Sequence, residues 1–460
     1  MSAKKAFVIS LVRPARVKAK TIHSFRPAFA YSIFGDDERI FGYEGLEIDL
    51  SFHASDMRPN LQISWRKQFE ATGETEAADV GEILKEYLPA PAFQSKKIFD
   101  EAIRNTRADW TPPGALAATF ARDDVTYEVW KGSLTDPAVK QLVKRIQIFV
   151  PLFIEGGTYI PTDEADDDRW TLFFLYQKKP IPGDDDRASY VFNGYSTVYR
   201  FFRYIPPTPP SSPSQYLTSA LDQLDIHKEF DLSVLPCRSR ISQFIILPPF
   251  QGKGLGPKLY NTIFQEYLRH PQTVEITVED PNEVFDDMRD IADLHFLRQR
   301  DDFNALHIDT SIVIPNKDGV APSNIVDREA AEAVRQRTKI APRQFARVLE
   351  MHLMSKLPDS VRPGIEPEGP VSRPTKDDKH VYRLWQLMVK QRVYRLNKDA
   401  LGELEIPERI TKLNETVDSV AFDFARLLIK AERYEEGANG KGKRKAEEEG
   451  EGAASKKQKV

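Results

Sequence analysis

The stretch "QFIILPPFQGKGLGPKLYNTIF", residues 243 to 264, constrains the fold more tightly than any other. An apolar run ends at Pro248-Pro249, where neither residue has an N–H to donate to a sheet ladder. Gly252, Gly254 and Gly256 follow at alternate positions, and an apolar-periodic stretch opens at Pro257. Proline is welcome in the first turn of a helix, whose N–H groups have no intrahelical partner to lose. The order is therefore strand, glycine turn, helix. Glycine permits the backbone angles of such a turn and lets its N–H groups approach an anion closely, and the helix adds its positive end. A phosphate-bearing ligand is the expected occupant.

The segments before this stretch read as strands. "FAYSIFG", "FGYEGLEIDLSF", "NLQISW" and "VTYEVWKG" are short and punctuated by Gly, Asp and Pro, with one helical stretch near "AADVGEILKEYL". This defines an α+β N-terminal domain, residues 5–135. "KQLVKRIQIFVPLFIEGGTYI" reads as a helix or strand leading into an apolar strand that ends at Glu155. "RWTLFFLYQKK" and "YVFNGYSTVYRFFRYIPP" are two aromatic-rich strands, and "PPTPPSSPSQ" is a loop. After the glycine turn come a strand, "TVEITVED", and a helix, "EVFDDMRDIADLHFL", completing a mixed α/β domain over 136–304. Beyond it the apolar residues recur at helical spacing, as in Phe345, Val348, Leu349, His352 and Leu353. A helical domain with a Pro-rich linker spans 305–436, with His352 expected in its core or at its boundary. Residues 437–460 lack apolar periodicity and read as a disordered tail.

Composition narrows the class. With 41% hydrophobic and 29% charged residues the chain reads as globular, and no apolar run approaches the roughly 18 residues of a membrane helix. "MSAKKAFVISLVRPARVKAK" does not resemble a signal peptide. The single cysteine, Cys237, excludes an internal disulfide and a cysteine metal cluster, and reads as a small semi-buried residue in a reducing compartment. A net charge of −4 argues against direct nucleic-acid binding. Acidic runs at Asp36–Glu38, Asp163–Asp168 and Asp184–Asp186 are solvated loops individually, yet together they would attract a basic peptide. Lys443-Arg444-Lys445 and Lys456-Lys457 with Lys459 have the spacing of a bipartite nuclear-import signal, or of a solubilising tail.

The glycine loop fits neither a P-loop, for lack of a Ser or Thr after its lysines, nor the G-x-G-x-x-G of a dinucleotide fold. It satisfies Q-x-x-G-x-G through Gln251, Gly254 and Gly256, and so resembles the pyrophosphate loop of the GNAT N-acetyltransferases. "RISQFIILPPFQGKGLGPKLY" with "VEITVEDPNEVFDDMRD" resembles more narrowly the type B histone acetyltransferase catalytic subunits, especially fungal ones. "FGDDERIFGYEGLEIDL", "LFIEGGTYI" and "GYSTVYRFFRY" are similar to other segments of that family, so the resemblance covers about residues 30–300.

This resemblance implies a GNAT core with acetyl-CoA as co-substrate and no metal. It places the cofactor on Phe244, Ile245 and Ile246, on Gln251, Gly252, Lys253, Gly254, Leu255, Gly256 and Pro257, and on Asn282. An arginine that the family carries for a further contact is here Ile291. Residues 274 to 279 alternate, so Glu279 falls on the polar face at the end of its strand. The resemblance makes it the general base, with Asp280 and Glu155 as supporting carboxylates; a buried turn residue is the rival reading of Glu155. It assigns the substrate peptide to Asp36, Asp37 and Glu38 and to Tyr199, Arg200 and Phe201, although sheet packing explains the aromatics equally well. The implied activity is acetylation of the N-terminal tail of free, newly made histone four. A WD40-repeat histone-binding subunit is the implied partner, and location in nucleus and cytoplasm follows. Another amine substrate, or a non-catalytic histone chaperone, are the alternatives.

Overall fold

The structure is a computed structural model. It describes residues 1–13, 20–73, 75–107, 109–181, 184–202, 235–315, 322–364 and 373–455, with the backbone alone for 180–188 and 435–455. The proline-rich loop at 206–215 and the basic cluster at 456–459 lie outside these residues. Two compact units divide the chain, Met1–Asp280 and Pro281–Val460.

In the first unit, β1 (Phe7–Arg13), β2 (Lys20–Phe25), β4 (Glu47–His53) and β5 (Pro59–Ser64) form a sheet in the order β2-β1-β4-β5. Strict alternation in "EIDLSFH" puts Ile48, Leu50 and Phe52 inside it. A small pair, β3 (Tyr43–Glu44) with β6 (Lys67–Gln68), lies in the same unit. "FAYSIFG" forms no strand; Tyr31–Phe34 is a helical turn closed by Gly35 at φ +78°.

A second sheet has six strands in the order β12-β11-β10-β9-β8-β7. These are β7 (Ala115–Arg122), β8 (Val125–Ser133), β9 (Trp170–Ile181), β10 (Asp184–Phe202), β11 (Cys237–Ile246) and β12 (Thr273–Val278). The sheet thus runs through residue 135, where the sequence changes character. Every neighbouring pair is antiparallel except β11 and β12. The Leu255–Arg269 helix packs on it through Tyr267, whose ring lies 6.2 Å from Phe173, and Glu266, paired with Lys131 at 2.6 Å. Cys237 is fully buried in β11.

The apolar run at 146 to 154 is helical, contrary to the strand expected there. Asp136 caps a Pro137–Ile146 helix by accepting the Ala138 N–H at 2.8 Å, and a Phe149–Phe153 helix follows. Phe149, Val150 and Leu152 are all fully buried, and a helix buried on every side shows no polar face to betray its period.

The second unit is helical among the described residues. Its helices include Glu283–Arg298, Arg328–Thr338, Pro342–Ser355, Lys376–Leu396 and Ile406–Ser455. The last runs on through residues 437–455, which the sequence reads as a disordered tail. Thr375 and Asp378 form a reciprocal capping box that starts Lys376–Leu396. Within the core Trp385 is fully buried and donates to Glu350 O at 2.9 Å, while the buried Glu350 carboxylate accepts Arg392 Nε at 2.8 and 2.9 Å.

His352 is a core residue, 3% exposed, 4.6 Å from the Phe303 ring, with neither ring nitrogen hydrogen-bonded. Burial, with Lys356 and Arg298 nearby, pushes its pKa down to about 3. A folded-state value below the unfolded one means that stability is complete above pH ~6.5 and is lost as pH falls toward 3, by at most about 1.4 kcal/mol per pH unit. Thermal unfolding of the full chain from pH 7 to 5 should therefore show a falling midpoint that His352→Leu flattens; identical slopes would refute this.

Candidate active site

The site is built where β11 parts from β12. Their parallel pairing stops at Ile241↔Val278, and the Glu279 N–H still donates to Ile241 O at 2.9 Å. β11 continues to Ile246 paired with β10, interrupted by a bulge at Ser242. Residues 242–246, including the expected cofactor residues Phe244, Ile245 and Ile246, thus have β10 as their strand neighbour and not β12.

The strand ends in a single turn at Pro248–Phe250, and Gln251 Nε2 reaches back to Ile246 O at 2.8 Å. This bond folds Gln251–Gly256 into a loop over the end of β11. Gly252 and Gly254 have φ of +70° and +66°, the left-handed region where a Cβ is costly. Gly254 caps the Leu255–Arg269 helix, whose first-turn N–H groups include none from Pro257. A Cβ on Gly252 would meet open space, whereas one on Gly254 would run into Arg122 Nη1. Lys253 sits over the Phe250 ring at 5.5 Å. Glycines that leave the backbone bare, a helix N-terminus and the Arg122 and Lys253 cations together suit a pyrophosphate.

Beside the parting strands is a cavity of about 330 Å³ lined by Glu155, Arg240, Ser242, Gln243, Glu279 and Asp280, among others. All three expected carboxylates are brought together there. Glu155 arrives from the turn after the Phe149–Phe153 helix. Glu279 and Asp280 follow β12, and Asp280 holds a strained φ of +33°. Glu279 Oε1 is 3.1 Å from Arg240 Nη2, whose guanidinium lies 4.3 Å from the Phe201 ring centroid. Gln243 is fixed by donating to Thr158 O at 2.8 Å and accepting from Tyr195 at 3.3 Å. The Ser242 hydroxyl is buried without a hydrogen-bond partner.

The remaining expected residues are placed differently. Asn282 belongs to the second unit and caps Glu283–Arg298 by accepting the Phe285 N–H at 2.9 Å. Asp36 and Asp37 are exposed, but Glu38 is committed within the fold: Lys4 pairs with it at 2.6 Å and the Ala30 N–H donates to it at 2.7 Å. The Lys4 hydrogen bond holds the Glu38 carboxyl below its ordinary range. Tyr199 donates to Asp166 at 2.8 Å and packs against Trp170 and Phe201 at 4.7 and 4.6 Å. Arg200 donates to Asp168 O at 2.7 Å. In the acidic loop, Asp163 and Asp167 pair with Lys144 and Lys140 at 2.9 and 2.6 Å.

Arg122, Arg240 and Ser242 were not picked out from the sequence. For Arg240 a signal existed: arginines alternate in "RSRIS" and glutamates recur in "EITVE". The register sets Arg238 opposite Glu275, with which it pairs at 3.0 Å, and Arg240 opposite Thr277, from where its side chain reaches Glu279 two residues further on. Among the described residues no group of three His, Cys, Asp or Glu side chains is arranged to hold a metal, and no helix is long and apolar enough to cross a membrane.

A glycine loop over a strand that parts from its parallel neighbour, with carboxylates at the parting, defines an N-acetyltransferase of the GNAT type. Comparison with known proteins narrows the class. Residues 1–155 match the family model for the histone acetyl transferase HAT1 N-terminus, and residues 292–358 that for the fungal HAT1 C-terminal region. The chain is 50% identical to the histone acetyltransferase type B catalytic subunit of Neurospora crassa, over 94% of this chain and 88% of the relative. It is 50% identical to that of Gibberella zeae over 96% and 94%, and 47% identical to that of Pyricularia oryzae over 100% and 98%. The chain belongs to the family of type B histone acetyltransferase catalytic subunits. Acetyl transfer, with acetyl-CoA as co-substrate, is the chemistry its site must perform.

Proposed function

We propose that the protein acetylates lysines in the N-terminal tail of free, newly synthesised histone four, with Glu279 as general base. The observation that carries this reading is the Glu279 carboxylate in a cavity shared with Glu155 and Asp280, at the point where β11 leaves β12. A lysine with a pKa of about 10.4 must lose a proton before it can attack, and at pH 7 this costs roughly 4–5 kcal/mol. Glu279 accepts that proton directly or through one water, and Asp280 and Glu155 keep the cavity anionic so that the substrate cation enters it. Acetyl-CoA supplies the acyl carbon as a thioester: the C–N bond forms as the C–S bond breaks, and the thiol leaves with a proton. Residues 251–257 hold the pyrophosphate, and β11 beyond Ile241 presents backbone groups for the pantetheine arm. The one cysteine is buried inside the sheet, which supports direct transfer without an acyl-enzyme.

Asp36 and Asp37 remain exposed for the basic tail, and Phe201, under the Arg240 guanidinium, links the aromatic strand to the cavity. Family membership supports a WD40-repeat histone-binding partner, a role in histone deposition, and residence in both nucleus and cytoplasm. The test is transfer of labelled acetyl from acetyl-CoA to a histone-four tail peptide by the purified chain, with a polyamine as competing acceptor. Incorporation into the peptide at neutral pH is expected. Incorporation into the polyamine alone would assign a different amine, and tight peptide binding without incorporation would leave a histone chaperone.

A further inference from the structure

Arg240 has no assigned role, yet it touches both the base and the aromatic strand. On β11 it faces Tyr199 across one edge and Thr277 across the other, and its guanidinium spans from Glu279 Oε1 to the Phe201 ring. Its side chain is 33% exposed and that of Glu279 39%, so the pair is screened by water and adds little to stability. Stability is therefore a poor reason for the arrangement. Geometry is a better one. A glutamate just beyond a strand end has three rotatable bonds, and ordering such a side chain has an entropic cost that a fixed partner must meet. A guanidinium is planar, stacks on an aromatic face and offers directed donors, so once seated on Phe201 it fixes whatever it binds.

We infer that Arg240 is a positioning residue for the acetyl transfer: seated on Phe201, it holds Glu279 by Oε1 and leaves Oε2 to take the proton from the incoming amine. This rests on the reading of Glu279 as base. The arrangement also joins peptide docking to catalysis, because a tail side chain that packs on Phe201 shares that ring with the group orienting the base. Arg238 is an internal control, since it also pairs with a glutamate, Glu275 directly opposite it on β12, but does not line the cavity.

The test compares Arg240→Gln, Arg240→Lys, Arg238→Gln and Glu279→Gln in the full chain, using acetyl-CoA and the tail peptide. Arg240→Gln should lower kcat about 10- to 100-fold, the scale of loss from a misplaced catalytic group, and leave the KM for acetyl-CoA within about twofold. Arg240→Lys, which keeps charge without the plane, should recover only part, and Arg238→Gln should stay within about twofold of the parent rate. In a Glu279→Gln background Arg240→Gln should add almost nothing, because the two act as one unit. Equal losses from Arg238→Gln and Arg240→Gln, or full additivity with Glu279→Gln, would overturn the inference. If Glu279→Gln is slow while Arg240→Gln keeps its rate, the positioning role alone fails. If Glu279→Gln is itself unimpaired, the base reading falls and the positioning role with it.

Discussion

Glu279→Gln should slow acetyl transfer at neutral pH by about 10²- to 10⁴-fold, the usual range for removing a positioned base. The substitution keeps the size of the side chain and an oxygen for Arg240 to bond, so the cavity need not collapse; what is lost is a group able to take a proton. The loss should appear in kcat, with the KM for acetyl-CoA little changed, because the pyrophosphate is proposed to sit on residues 251–257, away from Glu279. It should shrink as pH rises toward 10, where a growing share of the lysine is already neutral. Glu155 and Asp280 line the same cavity and set the residual rate, so Asp280→Asn combined with Glu279→Gln should go lower still. Asn suits the positive φ of residue 280, which makes that second change a test of charge rather than of backbone. An unchanged kcat in Glu279→Gln at neutral pH would remove this residue as the base.

The second large effect is expected at Gly254. Gly254→Val puts a β-branched side chain at φ +66° and a Cβ into the place of the Arg122 guanidinium, so the backbone is strained and the guanidinium must shift. Strain of about 1–3 kcal/mol falls on the turn that aims the N–H groups, and a shifted Arg122 carries its charge out of its place beside the loop. The KM for acetyl-CoA should rise more than tenfold, with a smaller change in kcat at saturation. Gly252→Ala is the informative contrast: its φ is similarly positive, but its Cβ meets open space, so its effect should be several-fold smaller. Equal effects at the two positions would show that backbone angle alone matters and that Arg122 does not contribute. Isothermal titration with CoA and steady-state kinetics would measure both.

The strand–loop–helix from Cys237 to Arg269 was legible because proline and glycine mark its turns by covalent geometry, which no tertiary contact can override. Glu279 was legible by the same locality, since alternation over six residues fixes its face. The helix at 149–153 was not, because full burial removes the polar side that would reveal a period of 3.6. The site was legible in its carboxylates and loop but not in Arg122 and Arg240. Their partners are far away in the chain: Gly254 lies more than a hundred residues beyond Arg122, Phe201 is on β10 and Glu279 follows β12. Only the register of β10, β11 and β12 brings the latter together. Glu38 shows the converse, a residue whose type suits a basic tail but whose hydrogen bonds are already taken by Lys4 and Ala30.

The tethered carboxylates of the acidic loop bear on how the protein meets its substrate in solution. Asp163 and Asp167 already have lysine counter-ions built into the fold, and Asp166 holds a tyrosine hydroxyl. A basic peptide approaching this face therefore displaces fewer mobile ions than the run of acidic letters suggests, and its association should weaken only gently as ionic strength rises. The long-range pull falls instead to exposed residues such as Asp36 and Asp37.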